Sequence, residues 1–228
     1  MYLVATPIGN LEDITQRALR ILAGVDRVAA EDTRHTRRLL QHYGLSVPVE
    51  SLFEHNERAR TPGLIRRLLA GERVAVVTDA GSPAVADPGF PLVRAAIVAG
   101  VRVESVPGPS AVIAALQVSG LPTDVFTFAG FLPVKAGARR RRLEELSARR
   151  ETVVAFESPH RIEACLEDLE AVWGERPMAL ARELTKVFEE VLRGSAREIR
   201  AALTPEKRRG EMVLVMSGWT RKLERGRA

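Results

Sequence analysis

The sequence predicts an α/β protein built as two consecutive halves, and three observations carry that prediction. Apolar, β-rich runs alternate with amphipathic helical patterns, separated almost everywhere by turn residues. The alternation restarts after Leu121-Pro122-Thr123. Proline- and glycine-rich loops follow several strand candidates on their carboxyl side, which is where parallel sheets bind ligands.

In the first half, strands are expected at Tyr2 to Ala5, Arg27 to Ala30, Val49 to Phe53, Val74 to Thr78 and Arg102 to Val106, with a helix between most of them, a βαβ pattern. Asn10 is placed to cap a helix carrying Leu11, Ile14, Ala18, Ile21 and Leu22, and Thr61-Pro62 to open one that stops at Gly71. Gly44 and Gly100 occupy C-terminal cap positions. In the second half, strands are expected at Val125 to Ala129, Thr152 to Phe156, Met178 to Arg182, Glu189 to Leu192 and Met212 to Met216. Too few residues separate the third from the fourth for a helical crossover, so this sheet is expected to be mixed, with an antiparallel pair. No repeat relates the halves. Domains are drawn at 1–115 and 116–219, with a basic tail at 220–228.

With 46% hydrophobic and 28% charged residues, the chain is of ordinary globular composition. No apolar run approaches the roughly 18 residues of a membrane span, so no membrane partner is expected. Met1 to Pro7 lacks the basic and long apolar segments of a signal peptide; it reads as the first strand, and the chain is expected in the cytoplasm. Cys165 is the single cysteine and falls in the helical pattern Ile162, Leu166, Leu169, which leaves no intramolecular disulfide and no cysteine-based zinc site. It reads as a packed, inert thiol. Without H-E-x-x-H among four histidines, no metal site is expected.

A net charge of +5 and a pI near 10.0 point toward an anionic partner. Lys135, Arg139, Arg140, Arg141, Arg142 and Arg149 stand against only Glu144 and Glu145, either as a phosphate-contacting surface or as a solvated helix face. A shorter basic group joins Arg34, Arg37 and Arg38 beside His35, and the tail adds Arg221, Lys222, Arg225 and Arg227.

Four segments share the strand-end position: Thr6 to Asn10, Asp79 to Gly89, Pro107 to Ser110, and Phe156 to Arg161. Proline fixes backbone shape and glycine permits close approach, so the four together suit a rigid cleft for a small polar molecule. Any one alone has the composition of an ordinary turn. G-x-G-x-x-G, G-x-x-x-x-G-K-[ST] and G-x-S-x-G are all absent, which disfavours a dinucleotide, a nucleoside triphosphate and a hydrolase nucleophile elbow. What remains is a ligand held by backbone groups and a few side chains.

As a set, A-T-P-I-G-N-L-E-D-I-T (5–15), A-E-D-T-R-H-T-R-R-L-L (30–40), S-L-F-E-H-N-E (51–57), T-D-A-G-S-P-A-V-A-D-P-G (78–89), P-G-P-S-A (107–111), S-G-L-P-T-D-V-F-T-F-A-G-F-L-P (119–133), F-E-S-P-H-R (156–161) and R-E-L-T-K (182–186) resemble the ribosomal small-subunit rRNA methyltransferase I family. The resemblance implies a class III, tetrapyrrole-methylase-like fold of two α/β domains with a cleft between them that binds S-adenosylmethionine. It also implies a homodimer, and methylation of the ribose 2′-hydroxyl of a decoding-centre cytidine in 16S rRNA within the small ribosomal subunit.

Carried over by motif, cofactor contacts fall at Ile8 and Gly9, at Asp79, Ala80, Gly81, Ser82 and Pro83, and at Ser110 and Ala111. Phe156, Glu157, Ala181 and Met212 of the second half are implied to close over the cofactor. Asp79 is available to the cofactor's ammonium or hydroxyl groups, or to its own loop amides; Ser110 to the cofactor, or only as a helix cap. Candidates for the hydroxyl proton are Glu183 and Lys186, with Lys186 also suited to stabilise the alkoxide, and then Asp32 and His35. A plain Glu183–Lys186 ion pair is the alternative. Arg34, His35, His55 and Glu57 read as substrate-side or interface groups, and Lys135 with Arg139 to Arg142 as RNA phosphate contacts. With 5% aromatics, no broad base-stacking platform is expected. Two rival readings remain: a methyltransferase of the same fold acting on a small tetrapyrrole, which needs no basic helices, and a non-catalytic RNA-binding protein, which needs no proline-glycine rim.

Overall fold

A computed structural model describes residues 1–219, so the basic tail lies outside the described residues. The chain divides into two compact units, Met1–Ser110 and the residues from Ala111 onward. In the first, five strands, β1 (Tyr2–Val4), β2 (Arg27–Ala30), β3 (Val49–Ser51), β4 (Val74–Val77) and β5 (Glu104–Val106), pair in parallel in the order β3-β2-β4-β1-β5. Between them run α1 (Gln16–Gly24), α2 (Thr33–His42), α3 (Glu57–Leu69) and α4 (Phe90–Val98). Strand alternation assigns the helices to faces. Ala75 and Val77 of β4 pack with Ala18, Leu22 and Leu40 of α1 and α2, whereas Val74 and Val76 pack with Leu64, Leu68, Leu92 and Ala96 of α3 and α4. A strand covered on both faces must be apolar at every position, which is why Val-Ala-Val-Val shows no alternation.

The second unit holds β6 (Phe126–Phe131), β7 (Thr152–Glu157), β8 (Met178–Arg182), β9 (Glu190–Gly194) and β10 (Met212–Met216), in the order β6-β7-β10-β8-β9. Only β6 and β7 run parallel; the other pairs, including β8 with β9, are antiparallel, which is the mixed sheet expected from the short β8–β9 connection. α6 (Ala136–Ser147), α7 (Ile162–Trp173) and α8 (Ala196–Ala202) bury Leu143, Leu166, Leu169 and Ile199 with Val153, Ala155, Leu180 and Leu214 of one face. α5 (Ala111–Ser119) packs against β7, β8, β9 and β10. Among the described residues, no helix is long and apolar enough to cross a membrane.

Two helix starts differ from expectation. Asn10 caps only a three-residue 3-10 turn, Leu11–Asp13; α1 begins after Thr15, whose side chain accepts from the Ala18 amide at 3.0 Å. Thr61-Pro62 lies inside α3, which starts a turn earlier at Glu57. Asn56 fixes that start by accepting from the Phe53 amide at 2.9 Å, and the Thr61 hydroxyl donates to the Glu57 carbonyl at 2.7 Å. Gly44 and Gly100 do close α2 and α4, at φ 66° and 74°, with the six-to-one hydrogen bonds Leu45 to Leu40 and Val101 to Ala96, both 2.9 Å.

The basic run on α6 is largely consumed by the fold. Arg139, expected as an RNA contact, is only 4% exposed and Asp168 of α7 only 2%. Its Nε and Nη2 reach Asp168 Oδ2 at 2.7 and 2.6 Å, while Arg140 Nε donates to Oδ1 at 2.5 Å. Arg142 pairs with Glu145 at 2.9 Å. Arg139 is therefore a staple between α6 and α7, since a guanidinium enters a core only with its charge met. Asp168→Ala is expected to destabilise the protein by about 3–5 kcal/mol in chemical denaturation, because it leaves Arg139 buried without a counter-charge. Arg142→Gln, breaking a surface pair, should cost less than about 1 kcal/mol.

Candidate functional site

In the first unit, the loops that follow β1, β4 and β5 are laced together. Thr6 and Gly81 exchange main-chain hydrogen bonds of 2.9 and 3.0 Å, and the Thr6 hydroxyl donates to the Thr78 carbonyl at 3.0 Å. The Ala5 amide donates to the Val106 carbonyl at 3.1 Å. Gly81 sits at φ 82°, and the space beside it is bounded by Ile8 and the Pro109 carbonyl. Gly108 lies so close to Ala5 that a side chain there would crowd its methyl at 3.0 Å. Ala84 and Ala86 hold φ values of 64° and 63°, a costly region for alanine that surrounding contacts must impose.

Four acids converge where β2 and β4 end. The Thr78 hydroxyl donates to Glu31 Oε2 at 2.6 Å, the Asp79 amide reaches the same oxygen at 3.4 Å, and the Asp32 amide donates to Asp79 Oδ1 at 3.0 Å. Asp87 faces the Thr78 hydroxyl from the same loop. Burial pushes Asp79 above the ordinary carboxylate range, with Glu31 and Asp32 adding repulsion. Burial, reinforced by Glu31 and Asp79, pushes Asp87 up to about 6. Asp32 goes the other way. It caps α2 through the Arg34 amide at 2.7 Å and pairs with the Arg34 guanidinium at 2.9 Å, which lowers it to about 2. So strong an acid is a poor proton acceptor, which removes the ground for Asp32 as a general base. Glu31 and Asp87 were missed in the sequence. Glu31 is placed by sheet register: Ala30 pairs with Val77, so the next residues, Glu31 and Thr78, meet.

Of the other first-unit candidates, Ile8 and Pro83 are buried, Ala80 and Ser82 half-buried, and Gly9 exposed. Ser110 is half-buried directly before α5, and its hydroxyl has no hydrogen-bond partner among the described residues. Glu57 anchors a loop, its Oε2 accepting from the Gly89 amide at 2.8 Å. His55 stays exposed, edge-on to the Phe53 ring at 6.0 Å.

Phe156, Glu157, Ala181 and Met212 meet at one end of the second sheet. Met212 pairs with Glu157 and Arg182, and Val213 with Phe156 and Ala181. The two rows face opposite ways. Glu157 turns inward: its side chain is inaccessible and its Oε1 accepts from the Ser158 amide at 2.7 Å and from Arg161 at 2.6 Å. Met212 is buried in the helix-covered core, so both offer a ligand only main-chain atoms. Phe156 lies among Phe128 and Phe131, ring centres 5.0 and 5.3 Å away.

The R-E-L-T-K turn is tightly tied. Glu183 Oε1 accepts from Lys186 Nζ at 2.9 Å and from the Glu211 amide at 3.0 Å, and Lys186 also reaches Glu211 at 3.3 Å. Glu183 and Thr185 adopt φ 50° and 66°, and any Cβ at Gly210 would land on the Glu183 carboxylate. For Lys186, burial lowers proton affinity, but Glu183 and Glu211 outweigh it and hold the group above its ordinary value. For Glu183, burial is likewise outweighed, by Lys186 and the Glu211 amide, and the group falls below its ordinary value. At neutral pH both are charged. A protonated Lys186 carries no free lone pair for the acceptor's proton, and the pair is an ion pair that shapes the turn.

Of the basic groups expected to meet RNA, Lys135, Arg140 and Arg141 at α6 and Arg34 and His35 on α2 are exposed, as are Arg37 and Arg38 beside them. A pocket of about 500 Å³ opens at the other end of the second sheet, walled by Pro122, Thr152, Pro177 and Ser217; none of the candidate residues lines it.

The first-unit rim fits a zwitterionic, cationic cofactor such as S-adenosylmethionine. Asp79 Oδ2 is uncommitted, the Ser110 hydroxyl is free, and Gly108 lets the chain approach closely where a side chain would block it. Comparison with known proteins agrees. The family model of Tetrapyrrole (Corrin/Porphyrin) Methylases matches residues 1–200. Proteins named ribosomal RNA small subunit methyltransferase I are 50% identical over 221 residues in Xylella fastidiosa, spanning 96% of this chain and 81% of that one. In Pseudomonas aeruginosa the figures are 49% over 222 residues, 96% and 79%. The crystal structure of a Thermus thermophilus uroporphyrin-III C-methyltransferase complexed with S-adenyl homocysteine superposes over 95% of this chain and 96% of that one, with a TM-score of 0.63 and 20% identity, a likeness of fold.

Asp87 dictates a pH dependence. Burial favours its neutral form, so the folded chain retains a proton between the ordinary carboxyl value of about 3.9 and about 6. The associated stability is fully present below the lower value and is lost as pH rises through the upper one. Asp87→Asn, which mimics the protonated form, should melt higher than wild type at about pH 8, and the gap should close below about pH 4.

Proposed function

The chain belongs to the ribosomal RNA small subunit methyltransferase I family within the tetrapyrrole methylases, and from that premise we propose that it methylates small-subunit rRNA with S-adenosylmethionine. The acceptor is the ribose 2′-hydroxyl of a cytidine in the decoding centre of 16S rRNA, and the enzyme works in the cytoplasm as a homodimer on the small subunit. One observation carries the reading. The relatives align over 96% of the chain, so the match spans the rim loops and the R-E-L-T-K turn alike. The tetrapyrrole enzymes share the fold at much lower identity.

When bound, the cofactor supplies a methyl group already activated on a sulfonium. The chain's work is therefore to hold and aim. Asp79 and Ser110 offer a carboxylate oxygen and a hydroxyl, and the loop around Gly81 offers main-chain groups on a backbone that is already fixed. Alignment of this kind contributes up to roughly 7–11 kcal/mol to barrier lowering in favourable cases. In the second unit, the charged Lys186 is suited to stabilise developing negative charge on the acceptor oxygen, with Glu183 setting its position at 2.9 Å.

The test is incubation of the purified chain with methyl-labelled S-adenosylmethionine and small subunits or 16S rRNA lacking the modification, followed by alkaline hydrolysis. Label should appear at an alkali-resistant linkage 3′ to a cytidine; label on a base, or none, removes the reading. Ser110→Ala should weaken S-adenosylmethionine binding by about 0.5–1.5 kcal/mol in calorimetry while leaving the fold intact.

A further inference from the structure

We propose that the exposed face of α2, formed by Arg34, His35, Arg37 and Arg38, is the surface that takes up the phosphate backbone of the RNA substrate. The inference rests on the rRNA reading above and deepens it by moving the anion-binding surface from α6, where the linear sequence concentrates arginine, to a helix of the first unit.

The two helices differ in what their arginines are doing. On α6, Arg139 is buried on Asp168, Arg140 is bonded to the same carboxylate and Arg142 to Glu145, so only Arg141 and the preceding Lys135 remain uncommitted. On α2, the buried residues are Thr36, Leu39 and Leu40, and every residue between Arg34 and His42 that is not buried against the sheet is exposed. The helix carries no acid. Arg34 answers its own cap, Asp32, with a guanidinium whose side chain is 83% exposed; Arg37 and Arg38 have no acidic partner among the described residues. Residues three and four apart on a helix are neighbours, so Arg34, Arg37 and Arg38 form one continuous stripe with His35 at its edge. α1, on the same face of the sheet, adds the exposed Arg17 and Arg20.

Location supports the assignment. α2 starts where β2 ends, and the amide of its cap residue donates to Asp79 of the candidate cofactor loop at 3.0 Å. Phosphates held on this stripe are thereby tied through one hydrogen bond to the loop that positions the methyl donor. Arg37 and Arg38 carry this surface, because no acid among the described residues answers their charge, whereas Arg34 at its end is shared with Asp32; each phosphate the stripe neutralises releases counterions from the RNA.

The test compares R37Q/R38Q with R66Q/R94Q, which removes the same charge from exposed positions on α3 and α4, across the sheet. Binding of 16S rRNA is read by fluorescence anisotropy over a salt series, with S-adenosylmethionine titration and thermal melting as checks on the fold. R37Q/R38Q is expected to lose about tenfold or more in rRNA affinity, and its log–log salt slope to flatten by about 0.7 for each phosphate it no longer neutralises. Its cofactor affinity and melting should stay at wild type, and R66Q/R94Q should bind rRNA as wild type does. Unchanged affinity and slope in R37Q/R38Q overturn the inference, as does an equal loss in R66Q/R94Q. A wild-type chain that neither binds nor methylates rRNA is a different failure: it removes the underlying reading, and this surface with it. Should the double variant melt early, R37Q and R38Q singly are each expected to show a flattened slope, and unchanged slopes in both overturn the inference equally.

Discussion

Two main-chain hydrogen bonds between Thr6 and Gly81 join loops that would otherwise part, and the rim of the first unit depends on them. β1 and β4 are adjacent, but β1 leads to α1 on one face of the sheet and β4 to α4 on the other. At such a switch point the chains diverge and leave a crevice lined by main chain. Gly81 is required because its φ of 82° is reached at little cost only without a Cβ, and Gly108 because Ala5 occupies the space a Cβ would need. The rim is then rigid before any ligand arrives, which suits chemistry in which alignment is most of the task.

Charge in this protein is sorted by partner rather than by sequence density. Asp168 pairs with two neighbouring arginines at once, one through each oxygen, and Glu157 holds Arg161 while its own side chain is sealed from water. Groups of this kind are retained in a core only when hydrogen-bonded and paired, and they then fix helix position rather than serve a ligand. Counting arginines along a chain cannot distinguish these cases, because the distinction depends on which acid lies across a helix interface 29 positions away.

That limit separates what was legible from what was not. β2, β8 and β10 were readable to the residue, since dense apolar runs bounded by turn residues have one solution in a covered sheet. The antiparallel β8–β9 pair followed from connection length alone. The start of α3 was hidden because Pro62 imitates a first-turn proline, while the true start is set by Asn56 folding back on Phe53. At the rim, Asp79 stood out in its loop, but Glu31 and Asp87 become neighbours only through strand pairing and loop closure. The inward turn of Glu157 was likewise decided by sheet parity, and the motif F-E-S-P-H-R carries no record of it.

The acids and bases of the first unit meet along one short boundary, and that boundary gives the site a direction. Glu31, Asp32, Asp79 and Asp87 gather at the strand ends, where burial first and mutual repulsion second raise the proton affinities of Asp79 and Asp87. Such a cluster attracts a ligand bearing an ammonium and a sulfonium and repels phosphate. Two residues past Asp32 the sign reverses, and the exposed arginines of α2 attract phosphate and repel a cation. Asp32 stands at the change, its carboxylate spent on Arg34 and its amide on Asp79. Opposite potentials so close together deter the anionic polymer from the cationic donor's place without any moving part, while keeping the two within reach of each other. The segregation arises from ordinary means: a helix cap, a strand pairing and four acids that only the folded chain brings together.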